Sequence, residues 1–125
     1  MTDHRIKKHP ILTIPTKREI SFTWQGKTLP ALEGETIASA LYANGIKIFG
    51  HPHKDKSPLG IFCANGQCSQ CMVIADGLPV KACMQTVIDG MKVFPNDGDP
   101  ILPEVKSQPT FKEVPEIKIP VLILG

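Results

Sequence analysis

The spacing Cys63-x4-Cys68-x2-Cys71-x11-Cys83 constrains this chain more than any other feature, because three of its four cysteines lie within nine residues. In a reducing compartment such crowding is not a disulfide framework, and it points to a metal. The first three cysteines match the plant-type run of [2Fe–2S] proteins, Cys-x4-Cys-x2-Cys with a distant fourth. The eleven-residue gap has a physical reading. Asp76-Gly77 suits a type I′ turn, in which both central residues take positive φ. Pairing around that turn sets Ala75 opposite Leu78 and Cys71 opposite Ala82, which returns Cys83 to within reach of Cys71. Cys63, Cys68, Cys71 and Cys83 are therefore the expected metal ligands. The alternative is a zinc site built from the same four cysteines in a binding module that organises a complex, with Cys68-x2-Cys71 as one knuckle. Zinc sites, however, usually pair two short knuckles and have no need of the x4 loop.

Two ferric ions, two sulfides and four thiolates sum to a charge of −2, becoming −3 on reduction, so the loop has to offer positive dipoles to an anion. Ala64, Asn65, Gly66, Gln67, Ser69 and Gln70 are the residues whose backbone N–H groups are expected to do this, with Gly66 free to take positive φ. His51 and His53 flank Pro52 just before the loop and read as solvated loop residues, since four thiols are already available. Asp97, Asp99 and Glu104 read as part of a polar loop with Asn96, Gly98, Pro100 and Pro103.

Composition narrows the function classes. The apolar fraction of 42% with 21% charged residues is that of a folded globular chain. A net charge of +2 with one Trp and one Tyr gives neither the field nor the stacking platform that nucleic acid requires. No apolar run approaches the roughly 20 residues of a membrane span, and Met1 to Pro10 lacks the apolar segment of a signal peptide, so a cytoplasmic protein is expected. No Ser/His/Asp set, phosphate-binding glycine loop or carboxylate pair is placed for covalent chemistry. No catalytic residue is assigned, and catalysis is expected to lie elsewhere.

The 125 residues suit a single domain. Residues 1–19, basic and interrupted by Pro10 and Pro15, read as an arm that wraps the domain. Residues 20–95 read as the domain itself. Ile20, Phe22 and Trp24 alternate onto one face, Gln25-Gly26-Lys27 turns, and Thr28 to Leu32 returns. Thr36 caps a short helix carrying Ile37, Ala40 and Leu41, which Asn44-Gly45 stops. A brief strand is expected over Ile46 to Phe49 and a surface loop over His51 to Gly60. The hairpin Met72 to Ala75 and Leu78 to Ala82 comes next, then a strand over Met91 to Phe94. The fold expected is α+β of the β-grasp kind, plant-type ferredoxin-like, with one main helix on a mixed sheet. Residues 96–125 form a tail. Its end, Ile119-Pro120-Val121-Leu122-Ile123-Leu124-Gly125, reads as an apolar strand. It is either the approach to a dinucleotide-binding glycine turn or a last segment packed on the domain, and either invites a partner to cover it.

Several of these residues resemble a known family. Gly34-Glu35-Thr36-Ile37-Ala38 leading to Ala43-Asn44-Gly45, Gly60-Ile61-Phe62-Cys63, and Ala82-Cys83 followed by Asp89-Gly90-Met91 are similar to the small ferredoxin-like domain of sarcosine oxidase alpha chains, hydrogen cyanide synthase subunits and bacterial proline, hydroxyproline and opine dehydrogenases. The resemblance covers roughly Ile20 to Phe94. The x11 gap also looks like that of the succinate dehydrogenase iron–sulfur subunit. The resemblance implies a [2Fe–2S] cluster on the four cysteines, beside an FAD-containing amine or imino acid dehydrogenase whose flavin sits on a partner subunit or domain. Relatives often carry a His-Arg-Pro-Arg stretch before the cysteine loop, where this chain has His51-Pro52-His53-Lys54.

Overall fold

The computed structural model describes residues 3–98, 104, 107 and 110–123. Asp99, Pro100, Pro103, Leu124 and Gly125, which entered the reading of the tail, lie outside the described residues.

The alternating residues near the start of the domain form strand β1, Glu19–Trp24, and β2, Lys27–Leu32, runs back antiparallel to it with Trp24 opposite Lys27. Lys27 thus belongs to the strand, and the turn is Gln25-Gly26 alone. Ile20, Phe22 and Trp24 all point into the core, as the period of two requires.

Helix α1 covers Ile37–Ala43 and begins where the sequence signals it. The Thr36 hydroxyl accepts the Ser39 amide at 3.2 Å, and Asn44 ends the helix. The first two helical amides would otherwise lack partners. Instead Ile37 donates to the Gln85 carbonyl at 2.8 Å and Ala38 to that of Ala82 at 2.9 Å. The start of the helix is therefore clamped onto the turn that carries Cys83.

Strand β3 is Gly50–His51, displaced from the expected Ile46 to Phe49. The displacement has a cause in β6, Lys92–Asp97, which continues past the expected end at Phe94 and pairs parallel with Gly50 and His51 through Asn96 and Asp97. Asp97 fixes this corner, since its Oδ1 accepts the His51 amide at 3.0 Å and lies 3.4 Å from His51 Nδ1. The two groups read from sequence as separate polar-loop residues are thus joined.

Strands β4, Met72–Ala75, and β5, Leu78–Lys81, form the hairpin around Asp76 and Gly77, whose φ angles are 47° and 84°. Ala75 faces Leu78 in this ladder, and the Ala82 amide donates to the Cys71 carbonyl at 2.9 Å, so the register is the one read from the turn. The sheet order is β2-β1-β6-β4-β5, with β3 also on β6. The β1–β6 and β3–β6 pairs are parallel and the others antiparallel, which makes the sheet mixed. One helix on this mixed six-stranded sheet is the small α+β architecture expected. Its core comprises Phe22, Leu29, Ile37, Leu41, Phe49, Val73 and Val93 with their neighbours.

The arm before β1 is largely exposed but tied down. The His4 amide donates to the Ala43 carbonyl at 3.0 Å, and Arg5 makes a two-pronged ion pair to Glu35 at 2.7 and 2.8 Å. The tail departs from expectation: Ile117 to Ile123 forms no strand, and Ile123 is 88% exposed. Pro120 removes one ladder donor there, and no strand pairs with this segment among the described residues.

Candidate metal centre

Two elements bring the cysteines together. Upstream, the chain enters the loop from Leu59, whose amide and carbonyl bond to Gly50 and Phe49 at 2.9 and 2.7 Å. Downstream, Cys71 sits at the mouth of β4, and Cys83 lies in a tight turn in which the Met84 and Gln85 amides both donate to the Lys81 carbonyl. The helix clamp at Ala82 and Gln85 holds that turn against the core. Cys71 is buried, whereas Cys63, Cys68 and Cys83 are half-buried and reach the surface.

The four thiols lie within reach of one another's charge along the loop and the turn. Cys63 Sγ accepts the Cys68 amide at 3.4 Å and is in hydrogen-bonding reach of the Cys68 thiol. Cys83 and Cys68 both lie close enough to Cys71 for their charges to interact with it. Among the described residues no three His, Cys, Asp or Glu side chains gather around one ion position.

The electrostatics follow from the loop. The Cys63 thiol is pulled down to about 6, first by the Cys68 amide, then by the Asn65 amide, with the Cys68 side chain and the Gln67 amide adding to it. Backbone N–H groups aimed at sulfur are what an anionic cluster needs, and Asn65 and Gln67 belong to the stretch expected to supply them. Cys71 shifts the other way: burial pushes its thiol up and outweighs the Cys83 amide that would lower it. Ala64 and Gly66 both sit at positive φ, 54° and 81°, which curls the loop back on itself. A Cβ on Gly66 would lie 2.9 Å from Met84 Cγ.

Three residues at the site were given no role of their own in the sequence reading. The Lys81 ammonium donates to the Gly66 carbonyl, tying the hairpin to the loop tip. Met84 packs on Gly66. Phe62, beside Cys63, is 82% exposed, so a large apolar side chain stands at the outer edge of the loop. His51 is engaged with Asp97, not with the cysteines.

Comparison with known proteins identifies the family. A family model described as a 2Fe-2S iron-sulfur cluster binding domain matches residues 17–98. The chain is 38% identical over 64 residues to the sarcosine oxidase subunit alpha of Rhizobium meliloti (strain 1021), an alignment covering 51% of this chain and 6% of that protein. In three dimensions it is similar to the L-proline dehydrogenase of P. horikoshii, with a TM-score of 0.57 and 26% identity over 68% of this chain and 17% of that one. The chain thus spans only a small fraction of the length of either relative. With more than half of its residues matched, the chain belongs to the 2Fe-2S iron-sulfur cluster binding domain family.

Proposed function

We propose that this chain is the [2Fe–2S] electron-transfer subunit or domain of a flavin-dependent amino or imino acid dehydrogenase or oxidase. Cys63, Cys68, Cys71 and Cys83 are its ligands, and the amides of Ala64, Asn65, Gly66, Gln67, Ser69 and Gln70 face the sulfurs. The observation that carries the reading is the Cys63-x4-Cys68-x2-Cys71-x11-Cys83 spacing inside a stretch, residues 17–98, matched by a 2Fe-2S cluster binding domain family. It favours a two-iron cluster over the zinc module. A bound cluster supplies reversible one-electron chemistry. The chain's own contribution is to hold the thiolates, neutralise part of their charge with backbone dipoles, and bury Cys71 against the core while the other three cysteines near the surface.

The flavin belongs to a partner in this reading, as the family resemblance implies, and the relatives named as a sarcosine oxidase subunit and a proline dehydrogenase fit such an oxidoreductase. Exposed Phe62 and Met84 beside two of the ligands give such a partner an apolar surface to cover. The complex is read as cytoplasmic. No helix among the described residues is long and apolar enough to cross a membrane. Affinity purification of the chain from its native host is expected to recover an FAD protein. Adding secondary amino or imino acids anaerobically should then bleach the visible absorbance of the complex. Recovery without any flavoprotein, or a complex whose colour no such substrate changes, contradicts the assignment.

A further inference from the structure

We propose that Lys81 sets the reduction potential of the cluster and holds the tip of the cysteine loop. The inference rests on the [2Fe–2S] reading and goes beyond it. Lys81 ends β5, two residues before Cys83, and its ammonium reaches across to the Gly66 carbonyl in the middle of the Cys63–Cys68 segment. Between Lys56 and Lys92 the sequence has one basic residue, Lys81. Among the described residues no other basic side chain hydrogen-bonds to the loop.

Two consequences follow. The first is electrostatic. A fixed positive charge beside a centre that becomes more negative on reduction favours the reduced form, and the partly buried position of this ammonium limits screening by water. The second is mechanical. The loop has few bonds of its own, chiefly Cys68 N–H to Cys63 Sγ and Gln67 N–H to Asn65 Oδ1. The tie from Lys81, with Met84 packed on Gly66, is what joins its tip to the hairpin.

The test compares Lys81→Met, Lys81→Gln and Lys81→Arg with the wild type after anaerobic reconstitution with iron and sulfide. The readouts are the midpoint potential and the rate of cluster loss to an iron chelator. Met removes charge and donor, Gln keeps a donor without charge, and Arg keeps both. The Met and Gln variants are expected to have more negative midpoints than the wild type. The Met variant should also lose its cluster about tenfold faster, the scale of one hydrogen bond to a charged group. Arg should stay near the wild type on both counts. If Met fails to load while Arg loads, the tie is supported. Arg behaving like Met, or no variant shifting the midpoint, overturns the proposal, and it does so even where cluster loss is faster. A wild type that takes up no iron and sulfide overturns the cluster reading itself.

Discussion

Gly66 carries two requirements at one backbone position. Its φ of 81° lies in the left-handed region, and the space a Cβ would occupy is taken by Met84. Gly66→Ala is expected to cost about 1–2 kcal/mol in backbone strain alone. Because the strain falls in the ligand loop, the apo protein should melt slightly lower and the reconstituted protein should lose its visible absorbance faster under chelator. Wild-type melting and chelator resistance in this variant would show that the loop is not shaped as described. The need for a flexible residue here was legible in the sequence, as were the four thiols, because both follow from local spacing. The contacts of Lys81 and Met84 were not. They join residues 15 and 18 positions from Gly66, and nothing in a lysine or methionine by itself marks which distant carbonyl or glycine it will meet.

Among the elements, the N-terminal arm is held to the domain in part by the Arg5–Glu35 ion pair, so its attachment should depend on pH. Burial pushes Glu35 up, but the Arg5 guanidinium, helped by the Leu32 amide and by Lys17, outweighs it and leaves the carboxyl below the usual glutamate range. A lowered folded-state pKa means the contribution is complete above the unfolded value and fades as pH falls through the folded one. The His4 amide, bonded to the Ala43 carbonyl, is therefore expected to keep its hydrogen-exchange protection at neutral pH and to lose it as pH falls below the ordinary glutamate range. Glu35→Gln should lower that protection already at neutral pH. Protection unchanged in acid and in the variant would mean that other contacts hold the arm. The sequence marked residues 1–19 as an arm through their prolines and basic charge, but nothing in it tied Glu35, noted only as part of a family motif, to that arm. The strands were legible where a turn type or an alternation announced them, as in both hairpins. They were misplaced at β3, because Gly50 and His51 are strand residues only by pairing with Asn96 and Asp97, more than 40 positions away.

At the scale of the whole molecule, the sheet order explains how one small domain builds a metal centre. Placing β4 and β5 beside the central β6, and clamping the start of α1 onto the turn after β5, fixes Cys71 and Cys83 against the core. The shorter Cys63–Cys68 loop then needs only its own amides and the Lys81 tie. The measurement that tests this account most directly is the iron and acid-labile sulfide content of the anaerobically reconstituted chain. About two irons and two sulfides per chain, with a paramagnetic resonance signal that appears only on one-electron reduction, are predicted. One zinc per chain without sulfide, or a protein that stays colourless, would contradict it.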